Sequence, residues 1–269
     1  MQRKIFIKNK KRKYYAGLFS EYKANWLLLL VTFFILLIIS MLNFSSVLNH
    51  YRIYYGLPIS LADCCIMQRE FIFFPLFIVP LCLFIIQIII KNDLEIPFIL
   101  RRFSRKSVWS AQIRKAFMCA FLFCVFYLLI TLLIGSLYSS ELINWKNSNS
   151  IYCLKTESII DTTLYEVIIA FFSSCFLSIA GITTVFLLLW WIIKKSVFAW
   201  LVIIIISIWD LFFMEYSVFV GRLSITYTNW SNREIWGNFL WASILVVIMI
   251  LIGRFCSRYK EFINENHAE

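Results

Sequence analysis

The sequence predicts an all-α polytopic membrane protein with six transmembrane helices. Hydrophobic residues make up 61% of the 269 residues and charged residues only 15%, whereas about 25% charged is usual in a soluble domain. Six apolar stretches approach the roughly 20 residues that a helix needs to cross the hydrocarbon core. Basic residues are concentrated in alternate connections between these stretches, which is typical of a multi-pass protein. We therefore interpret residues 1–269 as a single transmembrane domain.

The predicted domain has three parts: a basic amphipathic N-terminal segment (1–25), a six-span bundle (26–254) and a cytoplasmic tail (255–269). The spans cover approximately residues 26–43, 71–90, 117–138, 167–193, 196–214 and 239–252. The sixth span is short and is expected to begin near Trp236, which with Trp241 would act as an interfacial anchor. Only Lys194 and Lys195 interrupt the apolar run between the fourth and fifth spans, which predicts a tight helical hairpin.

The distribution of Lys and Arg predicts the orientation of the chain. Of the 26 basic residues, 20 fall in the N-terminal segment, the second-to-third loop, the fourth-to-fifth turn and the tail. The other six lie in the opposite loops: Arg52, Arg69, Lys146, Lys155, Arg222 and Arg233. The positive-inside rule therefore places both termini in the cytoplasm and the protein in the cell membrane. The net charge of +11 is explained by topology, and nucleic-acid binding is disfavoured.

The chain lacks the residue patterns of common catalytic sites. Its two histidines, His50 and His267, cannot form the paired-His zinc site of an intramembrane metalloprotease, and no glycine-rich phosphate loop is present. We expect no enzymatic activity, metal or cofactor in this chain. Asp210 is the main ionisable residue within a span, either as a coupling carboxylate or, as we favour, as an interfacial residue. This scarcity disfavours a proton-driven carrier or a selective ion channel.

Three cysteines are candidates for a disulfide. Cys64, Cys65 and Cys153 fall on the predicted outer face, where a disulfide can form in an oxidising compartment, although no pairing follows from the spacing.

Aromatic and apolar residues recur at three-to-four spacing before the first span, which predicts one stripe of an amphipathic helix lying in the membrane interface. This elbow helix presents Tyr15, Leu18, Phe19, Tyr22 and Trp26. It is either a lipid anchor alone or also a contact for a cytoplasmic partner.

The inner loop at 91–116 combines seven basic residues with many apolar ones. A loop that only returned the chain to the membrane would not need these apolar residues, so we interpret it as a surface that lies against another protein. Ser107 is a candidate N-cap for a helix that begins at Val108 and continues into the third span.

This region resembles type-2 permease subunits of bacterial ABC exporters. The resemblance rests on Pro75 and Pro80 in the second span, the acids Asp93 and Glu95, Leu100, the Ser104-Arg105 pair, and Lys115 at the entrance to the third span. It implies that the loop is a coupling helix seated on a separate ATPase subunit, where ATP and magnesium would bind. It assigns the contact with that partner to Arg101, Arg102, Ser104, Arg105, Lys106, Trp109, Gln112 and Lys115.

The resemblance also implies a second permease subunit, identical or paralogous. It suggests that the apolar segment 215–236 forms short helices that dip back into the outer membrane. The expected function is ATP-driven export of an amphipathic or hydrophobic substrate such as a peptide, bacteriocin, lipid or drug, including immunity to an antimicrobial peptide. The alternatives are a membrane-embedded enzyme and a non-transporting anchor or sensor.

Overall fold

A computed structural model describes residues 26–69, 73–91, 105–139, 141–193, 196–212 and 217–257. Over these ranges the chain forms helices and connecting turns and no strand. Four of the helices are long and apolar enough to cross a membrane, which confirms a helical membrane protein. The predicted elbow residues Tyr15, Leu18, Phe19 and Tyr22, most of the inner loop and the tail beyond residue 257 lie outside the described residues.

The helices, numbered along the chain, have the following bounds: α1 Trp26–Tyr55, α2 Leu61–Gln68, a π-helical turn Phe74–Ile78, α3 Val79–Lys91, α4 Arg105–Tyr138, α5 Ile151–Thr156, α6 Leu164–Ile193, α7 Ser196–Phe212, α8 Tyr227–Ser231 and α9 Glu234–Cys256. The predicted first, third, fourth and sixth spans correspond to α1, α4, α6 and α9. The second and fifth correspond to shorter apolar helices, Phe74–Ile90 and Ser196–Asp210. The number of six crossings therefore stays a prediction.

Helix α6 is the central element of the bundle. It packs against α2, α3, α4, α7 and α9. Its buried positions include many small residues, among them Ser174, Ser178, Ala180 and Gly181, and small side chains let membrane helices approach closely. Helix α9, by contrast, exposes large apolar side chains such as Leu240 and Ile244, as expected of a surface that faces lipid.

The second predicted span differs most from the structure. Before it lies α2, an eight-residue helix whose residues are all buried, in a stretch predicted to be an outer loop. Pro75 in the turn before α3 and Pro80 at the start of α3 each lack the N–H that an α-helix requires. The backbone there forms a π-helical turn in which the Val79 N–H bonds to the Phe74 carbonyl. Arg69, which the sequence placed in an outer loop, is the C-cap residue of α2 and is 0% exposed.

The start of α2 follows a known capping pattern, whereas the start of α4 differs from the predicted one. Ser60 and Asp63 form a capping box at the start of α2, which satisfies two backbone donors at once. Helix α4 begins at Arg105 rather than at Val108. Ser107 therefore lies within the first turn and is not the N-cap, because the helix extends further into the basic segment than the capping pattern indicated.

Candidate functional site

A buried guanidinium lies where α2 ends. Arg69 donates from Nε to the Ser174 hydroxyl at 2.7 Å and from Nη2 to the Ser178 hydroxyl at 2.6 Å. Nη2 also contacts the Val220 carbonyl at 3.5 Å. The ring of Phe74 lies 3.8 Å from Cζ, close enough for a cation–π interaction. The charge is therefore held by hydroxyls, a carbonyl and an aromatic face.

Neighbouring residues fix the end of α2 to two other helices. The Tyr127 hydroxyl of α4 donates to the Gln68 carbonyl at 2.5 Å, and the Gln68 amide donates to the Ser40 carbonyl of α1 at 2.9 Å. We name Ser40, Gln68, Arg69, Tyr127, Ser174 and Ser178 the polar layer. This layer joins α1, α2, α4 and α6 inside the bundle.

An irregular segment between α7 and α8, residues 217–225, enters the same region, and we name it the dipping segment. Its Leu223 and Phe219 carbonyls accept hydrogen bonds from Ser174 and Ser178 respectively. A Cβ at Gly181 would overlap the Phe219 ring, so glycine is required for this close approach. Gly181 lies about 25 Å along α6 from its first residue, at 1.5 Å per residue. The dipping segment therefore packs beside the middle of α6.

Asp210 anchors the dipping segment. Its carboxylate accepts hydrogen bonds from the backbone N–H groups of Val218, Phe219 and Val220 at 2.9, 3.1 and 2.8 Å. Asp210 is 1% exposed, so its carboxylate is buried within the protein. Three backbone donors that would otherwise lack partners are satisfied by one carboxylate.

We expect Asp210→Asn to loosen the dipping segment, because an amide nitrogen would face N–H donors in place of a carboxylate oxygen. Hydrogen exchange of a peptide covering 217–225 should become about tenfold faster or more. Asp161→Asn is the matched control, since Asp161 pairs with Lys146 at 2.7 Å but is 77% exposed. Equal exchange in both variants would contradict the anchoring role.

A second buried carboxylate, Asp63, organises the other end of α2. Its Oδ2 accepts from the Ser60 N–H at 2.9 Å and the Ser60 hydroxyl at 2.7 Å. Its Oδ1 accepts from the Trp145 indole N–H at 2.8 Å and the Tyr227 hydroxyl at 3.0 Å. Trp145 in turn stacks on Tyr152 at 5.0 Å between ring centroids. Asp63 thereby connects α2 with α5 and α8.

The predicted ATPase-facing residues fall into three groups. Arg101, Arg102 and Ser104 lie outside the described residues, whereas Arg105 and Lys106 are partly exposed in the first turn of α4. Trp109, Gln112 and Lys115 are buried, with exposures of 1%, 0% and 3%. The structure therefore places the third group within the bundle.

The buried residues of α4 contact two other helices. The Trp109 indole donates to the Ile250 carbonyl of α9 at 3.1 Å, and its ring lies edge-on to Trp191 of α6 at 5.7 Å. The Trp191 indole donates to the Gln112 side chain at 2.6 Å. A Cβ at Gly253 of α9 would overlap the Trp109 ring. We name Trp109, Gln112, Trp191 and Gly253 the inner cluster.

The structure also locates Trp26 and the three cysteines that were predicted to face outward. Trp26 is the first residue of α1, and its side chain is outside the described part. Cys64 and Cys65 are buried free thiols, and Cys153 is a partly exposed free thiol. Within the described residues no group of three or more His, Cys, Asp or Glu side chains could hold a metal ion.

Two groups of residues in the site were not predicted from the sequence, although the spacing of each group indicates its role. Ser174, Ser178 and Gly181 repeat at i, i+4 and i+7 within an apolar span, a spacing that indicates a close helix contact. Ser60 and Asp63 have the spacing of a capping box, which signals a helix start rather than a loop. No family model, curated protein or solved structure matches the chain.

Proposed function

We propose that the chain is the transmembrane permease subunit of an ATP-driven ABC transporter that exports an amphipathic or hydrophobic substrate. The observation that supports this function best is the inner cluster. The loop predicted to meet an ATPase leads directly into α4, and Trp109 near the start of that helix packs into both α6 and α9. A displacement of the loop would therefore move two further helices.

The remaining geometry supports transmission across the membrane. Helix α4 is continuous over 34 residues, from the predicted loop to Tyr138, so it can move as one rigid body. Helix α4 contacts α6 through the inner cluster. Helix α6 in turn donates hydrogen bonds from Ser174 and Ser178 to the dipping segment. Motion at the cytoplasmic end would thus reach the outer half of the bundle. In this proposal both termini are cytoplasmic, and two permease subunits, identical or paralogous, enclose the substrate path in the cell membrane.

ATP and magnesium would bind to separate ATPase subunits. The permease residues that would meet them are the predicted set from Arg101 to Lys106, with Trp109 and Gln112 relaying the motion. Lipid contacts of the N-terminal elbow, including Trp26, would keep the subunit aligned with the membrane surface.

The test is co-purification with an ATPase subunit encoded beside this chain. We expect detergent-extracted wild type to retain that subunit and support ATP hydrolysis. The double variant Arg105→Glu and Lys106→Glu should reduce retention about tenfold or more, because it reverses two charges at the contact. Lys155→Glu, at an exposed position in α5, is the control and should leave retention unchanged.

Failure of the wild type to retain or stimulate the ATPase would contradict the permease function and favour a non-transporting anchor or sensor. Full retention by the double variant would contradict the assigned contact instead. The Trp109→Ala variant separates binding from transmission: the ATPase should stay bound, while substrate-dependent hydrolysis falls.

A further inference from the structure

We propose that a polar cavity at the start of α9 binds the headgroup of a zwitterionic phospholipid that carries a primary amine, such as phosphatidylethanolamine. Arg222 would bind the phosphate and Glu234 the ammonium group. This lipid site is additional to the proposed transport function and does not depend on it. Three features support it: the lining of the cavity, the contacts of its two charged residues, and the apolar stripe that continues from it along α9.

The cavity lies between the dipping segment, α8 and α9. Its volume is about 540 Å³, within the range of roughly 300–1,000 Å³ that is typical of ligand pockets. Arg222 and Glu234 are both exposed, so the cavity reaches the protein surface. Its lining is polar and includes Arg222, Ser224, Thr226, Asn229, Glu234 and Asn238.

The uncharged polar groups of the lining are bonded to one another. The Ser224 hydroxyl donates to the Gly221 carbonyl at 2.6 Å, and the Asn229 side-chain amide donates to the Ser224 carbonyl at 3.3 Å. The Thr226 and Thr228 hydroxyls lie 3.0 Å apart and share a hydrogen bond. An uncharged, sugar-like ligand would have to compete with these internal bonds, so the lining favours a charged ligand.

The charged groups of the lining keep capacity for a ligand. Arg222 donates from Nε to the Asn238 side-chain oxygen at 3.1 Å, and its Cζ lies 4.4 Å from the centroid of the Trp241 ring. These two contacts hold the guanidinium in place. Its Nη1 and Nη2 make no hydrogen bond to another described residue, and together they form an edge that can bind two oxygens of a phosphate.

The position of Glu234 favours a ligand that carries both signs of charge. Glu234 precedes Asn238 by one turn of α9, and side chains at this spacing have Cβ atoms about 5–6 Å apart. Because Asn238 bonds to Arg222, the carboxylate and the guanidinium line the same cavity about one turn apart. Two carbon atoms separate the phosphate from the amine in an ethanolamine headgroup, so one headgroup can contact both residues. A simple anion on Arg222 would instead be repelled by Glu234.

The cavity also lies at the depth of a lipid headgroup. Helix α9 has 23 residues and is therefore about 35 Å long, slightly more than the roughly 30 Å of the hydrocarbon core. The exposed apolar surface of the helix includes Leu240, Ile244 and Val247, all of which follow Asn238. The first turn of α9, with Glu234, is therefore expected beside the headgroups rather than the alkyl chains.

An apolar stripe continues from the cavity along α9. Trp241, Leu245, Ile248 and Ile252 follow Asn238 at three-to-four spacing, so they share its face of the helix. Ile248 and Ile252 are 50% and 46% exposed, and an alkyl chain can pack on them. A free phosphoethanolamine would lack this contact, and for that reason we assign the site to a lipid.

The test is a titration of the detergent-purified chain with dioleoyl lipids, with binding measured by native mass spectrometry. We expect one phosphatidylethanolamine to bind with about fivefold or higher affinity relative to phosphatidylglycerol and phosphatidylcholine. Phosphatidylglycerol lacks the amine, and the quaternary ammonium of phosphatidylcholine has no N–H to donate to Glu234. Free phosphoethanolamine should bind about tenfold or more weakly, because it cannot bury apolar surface on α9.

Variants of the two charged residues should separate their roles. Glu234→Gln should abolish the preference for phosphatidylethanolamine over phosphatidylglycerol, whereas Arg222→Gln should weaken binding of both lipids about tenfold. Arg233→Gln is the matched control, because Arg233 is an exposed neighbouring cation that lines a different cavity; its affinities should equal those of wild type. If Arg222→Gln does not fold, Arg222→Lys keeps the charge without the forked donors and should bind several-fold more weakly.

Four outcomes would overturn the proposal. Equal affinity of wild type for the three lipids would show only the non-selective contacts of any membrane protein. Wild-type affinity in the Arg222 variants, or an unchanged lipid preference in Glu234→Gln, would remove the assigned residues from the site. Equal binding of free phosphoethanolamine would assign the cavity to a soluble ligand. Because the assay needs no ATPase, its result is independent of the co-purification test.

Discussion

The Asp63→Asn variant is expected to unfold roughly 5–15 °C below wild type in a thermal melt followed by tryptophan fluorescence. An asparagine keeps one acceptor oxygen, but its NH₂ group must face either the Ser60 donors or the Trp145 and Tyr227 donors. Two donors then lose their acceptor in a site that is 0% exposed. Buried polar groups without partners cost about 1–3 kcal/mol each, so we expect a total loss of about 2–6 kcal/mol.

The matched control for this prediction is Asp161→Asn. Its ion pair with Lys146 joins side chains that are 77% and 65% exposed, and exposed pairs contribute about 0–1 kcal/mol. The melting temperature should therefore change little. A similar melting temperature for both asparagine variants would show that Asp63 does not organise the contacts of α2 with α5 and α8.

Gly253→Ala is expected to destabilise the bundle by about 1–3 kcal/mol, the usual cost of overpacking a filled core. The new methyl group would overlap the Trp109 ring, so the ring or α9 must shift. If Trp109 transmits motion from the predicted loop, the variant should also lower substrate-dependent ATP hydrolysis in the complex while the ATPase stays bound.

Gly237→Ala tests the same substitution in the same helix. Gly237 has no atom within 4 Å of an added Cβ, and alanine is about 1 kcal/mol more favourable than glycine in a helix. The melting temperature should stay constant or rise. If both variants behave alike, the contact between Trp109 and Gly253 does not constrain α9.

The long helices were predictable because lipid imposes a simple requirement. A crossing helix must satisfy its own backbone and present apolar side chains, and both conditions leave a continuous apolar run. For that reason the predicted hairpin matches α6, which ends at Ile193, and α7, which begins at Ser196. The ends of α1 and α4 were less predictable, because polar turns extend a helix beyond its apolar part without changing its hydropathy signal.

Most residues of the candidate site could not be identified from the sequence, because their polar side chains bond to other parts of the protein rather than to solvent. Asp63, Gln68 and Arg69 lie in a stretch that the sequence placed in an outer loop. Each nevertheless finds partners 28 or more positions away or in a capping box. Such pairings depend on which helices become neighbours, and apolar periodicity does not specify this. Trp109 illustrates the converse: the sequence assigned it to the ATPase contact itself, whereas the structure buries it at 1% exposure against Gly253.

The π-helical turn at Phe74–Ile78 sets the rotational register of α3. A π-turn accommodates one extra residue relative to an α-helix, and each residue of an α-helix corresponds to about 100° of rotation. If the turn relaxed to α-helical geometry, α3 would rotate by about that angle relative to the end of α2. The π-turn therefore determines which side chains of α3, such as Ile85 and Ile86, are buried.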